Sequence, residues 1–213
     1  VTVDGRAERD PARWIDPRRH RLAVDGQAVS DATERIVLAF NKPAGLVTTR
    51  ADAAGRPTVY DGLGDVGRWV FPVGRLDRDT KGLLILTNDH RLGQRLTDPD
   101  AHVPKTYHVR VQGLPDAAAL RVLRAGVPLD KGLVTRPAKV RALGTAQGGS
   151  TWLEIVLTEG KNRQVRRMCA AVGHDVLELV RVKVGGLALG DLPSGGWRAL
   201  SEVEIARLAK GTC

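Results

Sequence analysis

The chain has 213 residues, with 33 lysines and arginines against 24 aspartates and glutamates, a formal net charge of +9. Hydrophobic residues make up 42%, enough for a packed core and too many for a disordered chain, while aromatics at 4% leave that core to Leu, Val, Ile and Ala. The positive balance favours a polyanionic partner, nucleic acid above all, and no apolar run approaches the roughly 20 residues of a membrane helix.

Residues 1–34 are rich in charge, Pro and Gly. They hold two fragments, 1–5 and 22–26, each expected as a brief strand ending in an Asp-Gly turn. Such a piece is an appendage or linker, too small for a core of its own. The chain starts at Val1 and its sole methionine is Met168, so a missing N-terminal part is expected. No secretory signal pattern opens the chain. The two cysteines, Cys169 and Cys213, make neither a disulfide framework nor a zinc site, which points to a reducing, cytoplasmic setting.

From residue 35 the texture changes to that of one main domain, 35–213. The apolar run 36–40 is expected as a buried strand, 41–45 as a turn and 45–49 as a second strand. After a polar loop with Gly55 and Pro57, 68–73 is expected as a strand, 74–82 as a charged loop and 83–86 as a strongly apolar strand. Residues 89–96 fit a short helix closed by Asp98 and Pro99, and 107–111 alternate as a strand. A helix is expected over 115–124, with Pro and Asp in its first turn and Gly126 beyond its end. Residues 134–143 and 152–157 alternate as strands around a flexible link, 144–149. Residues 162–172 are expected as a helix capped by Asn162, and 176–184 as a strand before a turn at Gly185 and Gly186. Ser201 and Glu204 stand at capping-box spacing, opening a helix through Ala209. Strands and helices intermix through short connections, so the expected class is α+β with a mostly antiparallel sheet.

Three segments carry chemistry. In the loop 74–82, Asp77 lies between Arg75 and Arg78, neighbours that favour a charged carboxylate, and apolar strands on either side would present the loop rigidly. The alternative is a solvated turn with a local salt bridge. In the segment 159–167, Arg163, Arg166 and Arg167 fall three and four residues apart on one helix face. A helix N-terminus with clustered arginines suits a phosphate backbone; it could also deliver one arginine to a buried carboxylate, or be an exposed basic face without a specific role. Third, Lys105-Thr106-Tyr107 opens a strand. A tyrosine beside a charged loop can stack on a nucleobase, or belong to the core. Zinc-protease, Cys-x-x-Cys, Walker and nucleophile-elbow patterns are absent, and the five histidines show no metal spacing. Without zinc-ligand cysteines a base deaminase is disfavoured.

Taken in order, Phe40-Asn-Lys-Pro-Ala-Gly45, Gly74-Arg-Leu-Asp77 followed by Gly82-Leu-Leu, Lys105-Thr-Tyr107, Glu159-Gly-Lys-Asn-Arg-Gln-Val-Arg-Arg-Met168, and Leu179-Val-Arg181 leading to Gly186 resemble the RsuA-type family of ribosomal RNA pseudouridine synthases over about residues 36–200. The resemblance implies an α+β fold whose central, largely antiparallel mixed sheet lies in two halves, with flanking helices and a catalytic cleft. It implies isomerisation of a specific uridine in ribosomal RNA without metal or cofactor. The texture of 82–86 and 55–58 is closer to members acting on large-subunit than on small-subunit RNA. The family's catalytic aspartate falls on Asp77, acting on the sugar as nucleophile or by removing a proton, and its tyrosine falls on Tyr107. Its arginine, pairing with Asp77, falls on Arg166, with Arg163 as the second choice. Arg75 and Leu76 would support the site, while Lys42, Lys161, Asn162, Arg163, Gln164, Arg167 and Arg181 would hold RNA. The expected partner is ribosomal RNA or an assembling subunit, met by a monomer, and residues 1–34 resemble the remnant of a ribosomal-protein-like RNA-binding module. Two rivals are a non-catalytic RNA-binding protein and a glycosidase using Asp77 with Asp79.

Overall fold

The computed structural model describes residues 1–10, 12–16, 19–29 and 34–208, in two compact units, 1–35 and 36–213. In the first, β1 (Thr2–Val3), β2 (Arg6–Ala7), β3 (Leu22–Val24) and β4 (Gln27–Val29) form an antiparallel sheet in the order β2-β1-β3-β4. Both expected Asp-Gly turns are there. Asp4 and Gly5 have φ of 51° and 80°, and Asp25 and Gly26 of 52° and 78°, the paired positive values that a two-residue primed hairpin turn requires.

Among the described residues the second unit is built on nine strands: β5 (Val37–Lys42), β6 (Phe71–Pro72), β7 (Lys81–Thr87), β8 (Lys105–Gln112), β9 (Lys139–Ala146), β10 (Ser150–Leu157), β11 (Val176–Val184), β12 (Leu187–Ala188) and β13 (Trp197–Ala199). Their main path is β13-β5-β7-β11-β8-β10-β9, with β6 beside β7 and β12 beside β11. Every pair is antiparallel except β7 with β11, which run parallel through Val180 opposite Lys81 and Arg181 opposite Gly82. That pair is the seam between the two halves of the α+β fold. Gly82 has φ +104°, and a Cβ there would strike the Arg181 carbonyl and come within 2.8 Å of its nitrogen, so the seam closes only on glycine.

Among the described residues five α-helices flank the sheet: α1 (Val59–Leu63), α2 (His90–Thr97), α3 (Ala117–Ala125), α4 (Gln164–Ala171) and α5 (Glu202–Leu208). Strand periodicity explains how they are held. Along β7, Leu83 and Ile85 point into a core shared with Leu92 and Leu96 of α2 and Leu208 of α5, while Leu84 and Leu86 enter a second core with Val59 and Leu63 of α1. Burial of both faces is why this strand is an unbroken apolar run. A third core packs Val109, Leu153 and Ile155 against Met168 and Cys169 of α4, and burial pushes the Cys169 thiol up to about 12.

Several boundaries differ from the expected ones. The segment 45–49 is not a strand; its β-type pairing is limited to one bridge, Val47 to Thr58, because its polar groups serve the neighbouring loop. The strand at 68–73 shrinks to Phe71–Pro72, where Pro72 has no N–H to extend a ladder. The link 144–149 is a hairpin, since β9 and β10 stay paired as far as Ala146 opposite Ser150, and 134–138 precede β9 rather than belonging to it. Asp116 caps α3 by accepting from the Ala119 amide at 2.7 Å, which leaves Pro115 outside the helix. The capping box of α5 is present: Ser201 N donates to Glu204 Oε2 at 3.0 Å and Glu204 N to Ser201 Oγ at 3.4 Å. Ala209 and Cys213 lie outside the described residues. Among those residues no helix is long and apolar enough to cross a membrane.

Candidate active site

The loop between β6 and β7 reaches Asp77 through backbone contacts that its own sequence does not reveal. Leu76 is 5% exposed and anchors in the core of Phe40 and Leu84. Thr48 Oγ1 donates to the Leu76 carbonyl at 2.7 Å and accepts from the Leu76 amide at 3.3 Å. The Gly45 amide donates to the Arg78 carbonyl at 2.8 Å. Beneath the loop, Lys42 is fully buried, and its Nζ donates to the carbonyls of Pro43 at 2.9 Å, Arg78 at 3.2 Å and Thr80 at 2.9 Å. Burial pushes its ammonium down to about 8, against the pull of Asp79 and Asp77. Asp77 is thus fixed from both sides while its carboxylate stays partly exposed.

Asp77 lines a cavity of about 450 Å³ with Arg75, Leu76, Lys105, Tyr107, Arg163 and Arg181. Tyr107 on β8 lies between Ile155 of β10 and Arg181 of β11 and packs against two of the cores. Arg181 is 5% exposed, with Nε donating to the Leu83 carbonyl at 2.8 Å. Lys105, two residues before Tyr107, has its ammonium lowered by burial first and by Arg181 second.

The cation facing Asp77 is Arg163, with Nη1 3.6 Å from Oδ2. This corrects the expectation that Arg166 makes the pair. The reason is local: α4 starts at Gln164, so Arg163 sits at the N-cap position in a left-handed conformation, φ 47° and ψ 34°, and Asn162 is not the cap. From the helix end Arg163 projects into the cavity. Arg166, inside the first turn, reaches the carbonyls of Val176 and Asp79, both at 3.3 Å.

The expected RNA-holding group divides in the same way. Lys42 and Arg181 are buried and bonded to carbonyls. Gln164 is 4% exposed; its Nε2 donates to Glu159 Oε1 at 2.6 Å and its Oε1 accepts from the Lys161 amide at 3.0 Å. Lys161 Nζ lies 3.1 Å from Glu159 Oε2 and donates to the Val134 carbonyl at 2.7 Å, and Arg167 is paired with Asp130. Burial pushes the Glu159 carboxyl up, but the Arg136 amide, Lys161 and Gln164 outweigh it and hold it below its ordinary value. Arg75, Asn162 and Arg163 remain exposed at the rim. Sequence reasoning quoted Glu159 and Lys105 in motifs without assigning either to the site, and it missed Thr48, which carries no signal of its own.

An aspartate held on a buried scaffold, a facing guanidinium and an aromatic wall suit bond-breaking at a sugar carbon followed by handling of a flat base. Comparisons with known proteins agree. The sequence pattern of the family described as RNA pseudouridylate synthase matches residues 36–171. A Vibrio vulnificus protein named ribosomal large subunit pseudouridine synthase E is 40% identical over 202 residues, covering 87% of this chain and 85% of its own. An Escherichia coli O157:H7 protein named ribosomal large subunit pseudouridine synthase B is 41% identical over 216 residues, covering 97% and 72%. A crystal structure of a pseudouridylate synthase superposes with a TM-score of 0.75 at 28% identity, over 97% of this chain and 87% of that one.

Proposed function

The chain belongs to the RNA pseudouridylate synthase family, and from that premise we propose that it isomerises one uridine of ribosomal RNA to pseudouridine, with Asp77 as the catalytic carboxylate. The observation that carries the reading is Asp77 itself, set into the cavity by a loop whose backbone is held by buried Lys42 and by Thr48. Large-subunit RNA is the preferred substrate, since the two relatives described above are named for that subunit.

A stacked base is out of reach of the cavity, so the target uridine is flipped into it. Asp77 then breaks the bond between N1 of uracil and the anomeric carbon, by attack on that carbon or by removing a proton from the adjacent sugar carbon. Uracil turns and its C5 bonds to the anomeric carbon, displacing the Asp77 carboxylate on the first route or with Asp77 returning the proton to the adjacent sugar carbon on the second; the C5 proton then leaves to water and N1 takes up a proton. Atoms and electrons balance without an outside reagent. Arg163 orients Asp77, and Tyr107 stacks on the turning base. Arg75, Asn162 and Arg163 meet phosphates at the rim. Asp79, paired with Arg78 at 3.2 Å, does not line the cavity, which leaves the glycosidase reading without its second carboxylate. The enzyme acts in the cytoplasm as a monomer, on free RNA or an assembling subunit, and residues 1–34 belong to an RNA-binding module.

The test is tritium release from ribosomal RNA labelled at C5 of uracil and taken from cells lacking this protein. Release that saturates at one site of the large-subunit RNA is the expected result. Release from neither subunit's RNA would contradict the proposal.

A further inference from the structure

Outside the cavity, three rings cluster at the N-terminal end of α2, Phe71 and His90 stacked and Trp69 tilted against both. The centroids of Trp69 and Phe71 are 5.5 Å apart, Phe71 and His90 stack at 4.6 Å with 22° between planes, and Trp69 and His90 lie 6.4 Å apart. Phe71 is seated on Gly93, where a Cβ would come within 2.8 Å of the ring; the helix has a glycine where the ring lies. Phe71 and His90 support Trp69, yet Trp69 remains 52% exposed. A ring recruited only to cover the helix would be buried, whereas this one presents its surface to solvent on a rigid aromatic base.

The stack is continuous with the cavity. Leu96 and Thr97, in the last turn of α2, line it, and so does Val73, two residues beyond Phe71. At 1.5 Å per residue, α2 carries the surface about 10 Å from His90 to the cavity edge. On the outer face of the same helix Arg91 and Arg95, one turn apart, are both exposed. Among the described residues neither forms an ion pair or a hydrogen bond through its side chain.

An exposed ring followed by unpaired guanidiniums fits an unpaired polynucleotide strand, whose bases offer π-faces while its phosphates track the cations. A duplex keeps its bases stacked inward and offers no such face. We propose that this wall receives the single-stranded RNA flanking the target uridine, with one flanking base stacked on Trp69 and the backbone passing Arg91 and Arg95. The proposal rests on the reading above only in taking RNA as the partner.

The experiment titrates the full chain with a short end-labelled oligouridine and, separately, with a labelled RNA duplex, following tryptophan fluorescence and the anisotropy of the label, and then repeats it with Trp69→Ala, Trp69→Phe and Arg91→Glu/Arg95→Glu. Oligouridine should quench emission that Trp69→Phe lacks. Trp69→Ala should weaken oligouridine binding about tenfold while Trp69→Phe keeps most of it, and the double arginine variant should weaken it as well. Duplex binding should respond little to either ring substitution. In the tritium assay the effect of Trp69→Ala should fall on KM rather than kcat. Unchanged oligouridine affinity in Trp69→Ala, with an unchanged melting temperature, would overturn the proposal, as would equal loss in Trp69→Ala and Trp69→Phe. The two readings fail separately: Trp69 quenching without tritium release leaves the platform and removes the isomerase, while release with Trp69→Ala indifferent in Kd and KM does the reverse.

Discussion

The two walls of the cavity use their polar residues in opposite ways. On the Asp77 wall, Lys42 Nζ, Thr48 Oγ1 and the Gly45 amide all bond to main-chain groups of residues 76–80, so the backbone is fixed and the one functional carboxylate stays uncommitted apart from Arg163. On the wall of residues 159–167, side chains bind side chains: Glu159 gathers Lys161 and Gln164, and Arg167 takes Asp130. Three of the polar residues expected to hold RNA there are satisfied within the protein, and the one that faces Asp77 across the cavity is the residue at the N-cap of the helix, Arg163. A buried polar group is affordable only when bonded, so in this protein burial separates scaffold from reagent better than residue type does.

The comparison breaks most visibly at Lys42. Lys42→Met removes three hydrogen bonds of a buried ammonium, with an expected loss of about 3 kcal/mol in denaturant unfolding and a fall in kcat of about 100-fold from misplacement of Asp77. A variant of near-parental stability and activity would show that the loop holds itself. The second prediction crosses two arginines. Arg163→Ala should lower single-turnover rate about tenfold or more by freeing the Asp77 carboxylate, yet leave the melting temperature nearly unchanged, since the pair is exposed. Arg166→Ala should lower the melting temperature more and the rate less, because it bridges two carbonyls. The reverse pattern would return the pairing role to Arg166.

The smallest effect is a pH trend. The Lys42 ammonium is held at about 8, below its ordinary 10.5, so between those values the folded protein binds fewer protons at this residue than the unfolded chain. Its contribution to stability therefore rises with pH across that window. The neutral amine, however, has two N–H groups for three carbonyls, so kcat should fall about twofold as the pH passes 8. Activity and stability moving together would contradict this role for Lys42.

Much of this was legible in the sequence. The positive φ at both Asp-Gly turns, the apolar run of β7 and the capping box of α5 each have a local cause, and local causes are written in neighbouring residues. The segment 45–49 misled because its alternation suits a strand, whereas Thr48 is needed 28 residues away, at Leu76. Lys42 misled for the same reason, since two of the three carbonyls that its ammonium bonds, those of Arg78 and Thr80, lie 36 and 38 residues away. Asn162 is a good cap by residue type, but the chain turns one residue later, through the left-handed Arg163, and that single shift decides which arginine faces Asp77.

The most direct test of the central claim is tritium release under single-turnover conditions by the parent, Asp77→Asn and Asp79→Asn, on ribosomal RNA from cells lacking the protein. The account predicts no detectable release by Asp77→Asn, with RNA affinity retained, and a rate within a few-fold of the parent for Asp79→Asn. Turnover by Asp77→Asn at a rate comparable to the parent would contradict it.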